Sequence, residues 1–183
     1  MASQKQEKFK VVLTVDDLPV WPHWKGPGMR SPASIVESMI KGLATHNLSG
    51  IYSFSNSGTG MQEMDTETKQ EFPSFLDRWV AAGNHIGNHT HSHVSIGNTT
   101  VEHYCRDLDA CDEALAPWID KAPSRLFRFA TDTWGESDAD ATALQEHLQK
   151  RNYHSAPASC FVFEWFVRNT SFGHYCRPYN AIY

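Results

Sequence analysis

Two stretches of this chain carry side chains that could perform chemistry together. Asp16-Asp17 ends an apolar run, and Gly87-Asn88-His89-Thr90-His91-Ser92-His93 places three histidines within five residues. Paired carboxylates can divide two tasks, one holding a cation and the other moving a proton. A histidine cluster following a predicted strand is more often a metal site than a set of scattered surface histidines. Taken alone, an aspartate at the end of a strand is also a common way to begin a turn. The histidine cluster is the stronger signal. On a helical turn His89 and His93 would share a face. On an extended strand His89, His91 and His93 would all share one. The spacing leaves both arrangements open.

The surrounding pattern predicts what must position these groups. Lys10 to Val15 reads as a buried strand that delivers Asp16-Asp17. Ser31-Pro32 resembles an N-cap followed by proline at the first helical position, and Ile35, Val36, Met39, Ile40 and Leu43 continue at helical spacing. Ile51 to Phe54 is a second strand. Phe72, Phe75, Leu76, Trp79 and Val80 form a second helical stripe that Gly83 stops. His85 to His89 is a third strand. Thr99-x-x-Glu102 resembles a capping box for a helix whose apolar face runs through Val101, Tyr104, Cys105, Leu108, Cys111 and Leu115. Leu126 to Ala130 is a fourth strand, and Ala141, Leu144 and Leu148 mark a helix ending near Asn152. Tyr153 to Ala158 and Phe161 to Val167 complete six strand candidates. Strict alternation of strand and helix predicts an α/β fold, a parallel sheet covered by helices, either open or closed into a barrel. The loops from Pro19 to Ser31 and from Asn56 to Glu71 follow strands, on the side where such folds place their chemistry.

Composition narrows the partners. The 183 residues suit one domain, residues 1–183, with 40% apolar and 20% charged residues. The net charge of −5 and the lack of any basic run argue against nucleic acid. No apolar stretch approaches the length of a membrane span. The polar start, Met1 to Lys8, has no apolar signal-peptide core. At face value it predicts a cytoplasmic chain, although a mature secreted chain would begin the same way. Cys105 and Cys111 lie about 9 Å apart along a helix axis, too far to bridge, whereas Cys160 and Cys176 are free to pair. Without a CxxC there is no zinc-ribbon signature. Asn47, Asn88, Asn98 and Asn169 stand in glycosylation sequons that matter only in a secretory compartment. Oligomeric state is not legible.

Thr14-Val15-Asp16-Asp17 resembles the first motif of the polysaccharide deacetylase (NodB-homology) family, and residues 83–93 resemble its second, with a His-Ser/Thr-x-x-His core. The resemblance spans roughly residues 10–167. It implies an incomplete (β/α)7-type barrel, here ending short of its C-terminal part. It implies a divalent ion held by Asp17, His89 and His93, zinc first and cobalt or nickel as alternatives, with His91 left out. It further implies Asp16 as the catalytic base, Arg128 as the arginine that braces it, and a carbohydrate substrate that loses an N-acetyl or similar acyl group from an amino sugar.

The later motifs depart from the family pattern. Phe127-Arg128-Phe129-Ala130 keeps the arginine of the third motif without its proline-tyrosine element. An arginine at a strand end is also common in surface ion pairs. In the fourth, Trp165 fits and Glu164 stands for one aspartate, with Phe161 where the other is expected. No Leu-x-His, the family's source of the general acid, follows Trp165; His174 is the one histidine there. Trp21, Trp24, Trp134 and Trp165 are candidate sugar platforms, Trp134 and Trp165 foremost, and each is equally suited to a core. The expectation is therefore a metal-dependent deacetylase. The alternatives are a metal-binding, carbohydrate-recognising module without turnover, or a metal hydrolase of another small amide.

Overall fold

The computed structural model of the chain describes residues 10–18, 30–58, 66–130 and 137–159. Within them run strands β1 (Thr14–Asp16), β2 (Tyr52–Ser55), β3 (His85–Asn88), β4 (Leu126–Phe127) and β5 (His154–Ser155). They alternate with helices α1 (Pro32–Thr45), α2 (Thr66–Ala81), α3 (Val101–Ile119) and α4 (Asp138–Lys150). Every described pairing is parallel, in the order β1-β2-β3-β4-β5. A parallel sheet whose strands follow in sequence order never reverses direction. Right-handed crossovers then put every helix on one face. Consistent with this, α1 touches α2, α2 touches α3, and α3 touches α4. This is the winding of a barrel wall, as the resemblance implies, and one of the two arrangements that the alternation left open. The sixth strand candidate, Phe161–Val167, and the pairing of Cys160 with Cys176 lie outside the described residues.

The helices form where their ends are capped. Ser31 accepts a hydrogen bond from the Ser34 amide at 3.2 Å, with Pro32 opening α1. Ser137 caps α4, whose first turn carries Asp138 and Asp140 and whose last turn carries His147 and Lys150, complementing the helix dipole. The cap of α3 is Thr100, which accepts from the His103 amide, one residue later than the Thr99 capping box expected. Gly83, at φ 82°, follows α2 in the left-handed region that ends helices. Between helices and sheet lies the core. Leu108, Cys111, Leu115 and Ile119 form the inner stripe of α3, and Phe75, Leu76 and Trp79 that of α2, packed with Ile86 and Phe127 of the sheet. Burying each large apolar side chain contributes roughly 1.5–3 kcal/mol.

The strands are shorter than their apolar runs. β1 begins only at Thr14, where its ladder with β2 starts, and Val11 and Val12 are 87% and 86% exposed. The expected buried strand over Lys10–Val15 is thus corrected at its start. β4 and β5 stop at Phe127 and Ser155 rather than reaching Ala130 and Ala158. Beyond these ends the Arg128 side chain bonds Asp16 and the Ala156 carbonyl. Strand pairing also demands a glycine. Gly87 lies opposite Phe54, and a Cβ there would stand 2.8 Å from the Phe54 ring and 3.0 Å from the Leu126 carbonyl oxygen. Gly87→Ala is expected to cost about 1–3 kcal/mol of stability in urea denaturation. Unchanged stability would mean that the Phe54 ring yields freely.

Candidate metal centre

Parallel register puts Thr14, Asp16, Tyr52, Phe54, His85 and Gly87 on one face of the sheet, since partners in register share a face and side chains alternate. Two residues further along each strand line, the same face presents His89 and Arg128 at the carboxyl ends. Asp17 should then point the other way. It does not, because its backbone takes φ 58°, and this left-handed residue turns its carboxylate back to the side of Asp16. Thr90 at φ 69° and His93 at φ 54° do the same for the segment after β3. Left-handed backbone at residues other than glycine costs on the order of 1–3 kcal/mol each and concentrates at functional sites.

Among the described residues, Asp17, His89 and His93 bring one ligand atom each to within 4.8 Å of one another. Asp17 Oδ1 stands 3.8 Å from His89 Nε2 and 3.5 Å from His93 Nε2. Tetrahedral ligands about 2.1 Å from a zinc-like ion would sit roughly 3.4 Å apart. The site fits an ion on two further grounds. Asp17 Oδ1 is buried without a hydrogen-bond partner. His89 Nδ1 lies 2.8 Å from the Arg128 carbonyl oxygen, so that nitrogen carries the proton and Nε2 keeps its lone pair toward Asp17. Burial pushes both imidazoles down to about 4, aided at His93 by its neighbour His89, so both are neutral in ordinary buffers. Burial, and then Asp16 beside it, pushes Asp17 up to about 7.

These shifts fix how an ion would compete with protons. Below pH 7 Asp17 must lose a proton before it can bind a cation, while His89 and His93 have none to lose until about pH 4. Zinc affinity is therefore expected to rise about tenfold per pH unit between about pH 5 and 6, where Asp17 is protonated and a bound water is not yet ionised. Competition with a chromophoric chelator across that window measures the slope. An affinity independent of pH there would contradict the buried, protonated Asp17.

Asp16 and Arg128 form the other half of the site. Arg128 Nη1 reaches Asp16 Oδ1 at 2.7 Å and donates to Thr14 Oγ1 at 2.8 Å, Nε donates to the Ala156 carbonyl at 2.8 Å, and the guanidinium lies 4.1 Å over the Phe54 ring. Burial raises the pKa of Asp16, and the Arg128 charge works against that rise. The surface ion pair that a strand-end arginine suggests is not what forms, because Arg128 is only 5% exposed.

Of the site residues expected from sequence, Asp16, Asp17, His89, His93 and Arg128 converge. His91 instead hydrogen-bonds Ser57 through Nδ1 at 2.8 Å. Trp134, Trp165, Glu164 and His174, with Trp21 and Trp24, lie outside the described residues. Asn56, Ser57 and Asp107 also bond to segment 89–92, and no motif in the sequence marks them. The Asn56 side chain donates to the His89 carbonyl at 2.7 Å, and Asp107 accepts from the Ser92 amide at 2.9 Å. The one signal available was a run of small polar residues, 55–58, directly after an apolar strand.

A family model described as polysaccharide deacetylase matches residues 3–153. The chain belongs to the polysaccharide deacetylase family. Deacetylases of this family act on carbohydrates and use a divalent metal. No curated protein matches the chain. Similar solved structures include a family 4 carbohydrate esterase from Streptomyces lividans in complex with acetate, at 20% identity and a TM-score of 0.56, covering 88% of this chain and 67% of that one. The peptidoglycan deacetylase PdaC from Bacillus subtilis is 20% identical with a TM-score of 0.54, over 86% of this chain and 62% of that one. A pseudoenzyme of carbohydrate esterase family 4 from Bacillus anthracis is 12% identical with a TM-score of 0.59, over 85% and 45%. At such identities these structures establish the fold, and this chain spans 67%, 62% and 45% of their respective lengths.

Proposed function

We propose that this deacetylase-family chain hydrolyses N-acetyl or similar acyl groups from amino sugars in a polysaccharide or oligosaccharide, with one divalent ion, zinc foremost and cobalt or nickel as alternatives, held by Asp17, His89 and His93. The observation that supports the reading most is the convergence of three ligand atoms beside a carboxylate that a buried arginine braces. The bound ion would supply Lewis-acid polarisation of the acyl carbonyl and a more acidic water. Asp16 takes the proton of the attacking water. Arg128 keeps that carboxylate oriented and offsets its burial. His89 and His93, neutral at working pH, keep their lone pairs for the ion. Water adds to the carbonyl carbon, the carbon–nitrogen bond breaks, and the amine leaves with a proton from an acid not found among the described residues. Trp134 and Trp165 are proposed as sugar platforms on the resemblance of their motifs alone.

The departures of the third and fourth motifs at Phe129-Ala130 and Phe161 favour a second reading, a metal-binding carbohydrate-recognition module that does not turn over. Acetate release from acetylated chito-oligosaccharides and from peptidoglycan fragments, measured on zinc-loaded protein, separates the two. Release supports the hydrolase. Metal binding with saccharide binding and no release supports the module.

A further inference from the structure

His91 lies between the two imidazoles that face Asp17, yet its ring engages a different loop. Nδ1 is hydrogen-bonded to Ser57 Oγ at 2.8 Å, in the segment that leaves β2. The ring sits directly on the next residue, so that a Cβ on Gly58 would meet its atoms at 2.3–2.5 Å. Main-chain bonds flank the contact: the Gly58 amide donates to the His91 carbonyl at 2.8 Å, and the His91 amide to the Asp107 carbonyl at 3.2 Å. Ser57 is 5% exposed, so water does not compete freely for the bond.

We infer that His91 and Ser57 form a clamp that holds the turn from His89 to His93 in its ligand-presenting shape and so sets metal affinity. This inference rests on the metal reading above. The reason lies in the backbone. Thr90 and His93 both occupy the left-handed region, which persists only where surrounding contacts over-determine it. Thr90 is held locally, its amide donating to Asn88 Oδ1 at 2.8 Å. His93 stands at the far end of the turn, and the His91 side chain, two residues before it, ties that part of the turn to the loop after β2. His91 is thus a positioning residue, acting on the ion only through His93. It also accounts for a third histidine in the cluster: the Nδ1 of an imidazole reaches Ser57 while the ring fills the space that Gly58 leaves open.

The test uses zinc as the probe, titrated in competition with a chromophoric chelator, on wild type, Ser57→Ala, His91→Ala, the double variant and His91→Asn, whose amide replaces Nδ1. All are expected to bind one ion, with affinity about tenfold or more weaker in either alanine variant, no further loss in the double variant, and recovery to within about threefold in His91→Asn. The visible absorption band of the cobalt-substituted protein should shift in the alanine variants and return with asparagine, which a general loss of stability would not produce. Ser57→Ala removes one oxygen and keeps the test valid if His91→Ala folds poorly. Zinc affinity within about twofold of wild type in both alanine variants, or fully additive losses, would overturn the clamp. A wild type that binds no zinc would overturn the metal reading itself, and the clamp with it.

Discussion

His93→Ala is expected to reduce metal content from about one ion per chain to near zero after purification without chelator, whereas His91→Ala keeps one ion. Both side chains are imidazoles in the same five-residue turn, so a nonspecific effect of charge or surface would treat them alike. They differ in where their nitrogens stand. His93 Nε2 is 3.5 Å from Asp17 Oδ1, and His91 Nδ1 is bonded to Ser57. Removing His93 leaves two ligands, too few for a tight zinc site. His93 is also the better target than His89, whose fully buried ring bonds the Arg128 carbonyl and whose loss would disturb the core. Equal loss of metal from both variants would sink the ligand assignment.

Asp16→Asn should retain its metal and lose deacetylase rate by a factor of about 10²–10⁴. Asparagine keeps the shape and an acceptor for Arg128 Nη1, but it cannot take a proton from water. The substitution also removes the counter-charge of a buried guanidinium that keeps its bonds to Thr14 and Ala156, so its cost falls below the roughly 3–5 kcal/mol of a fully broken buried ion pair. The rate must therefore be compared well below the variant's unfolding midpoint, with metal content measured on the same sample. An unchanged rate removes Asp16 as the base. A wild type with metal but no rate directs attention to the non-catalytic reading.

Much of this could be read from the chain. The alternation of strand and helix gave the parallel sheet covered by helices because both periods are visible in apolar spacing, and the family resemblance implied the barrel. Asp16-Asp17 and the histidine cluster marked the site because such residues gather rarely without cause. Which histidines converge was not readable from spacing. A turn that passes twice through left-handed backbone, at Thr90 and His93, has neither the period of a helix nor that of a strand. Only the family resemblance pointed to His89 and His93. Asp17 has the same character: alternation alone would aim it away from Asp16. Strand ends were overrun at Lys10–Leu13, Arg128–Ala130 and Ala156–Ala158, since the runs continue past the residues that find ladder partners. Arg128 was ambiguous because burial, which turns an ordinary ion pair into a brace, is set by Phe54 and Asp16, residues distant in sequence.

Arg128 serves both halves of the site with different parts of one residue. Its carbonyl fixes the tautomer of His89, and its guanidinium holds Asp16. Its amide in turn bonds the Asn88 carbonyl at 3.0 Å, at the last rung between β3 and β4. The proposed cation capture and proton abstraction are thereby mounted on a single residue. Fraying of that rung would disturb both proposed roles at once, and the exchange rate of the Arg128 amide hydrogen would report how often.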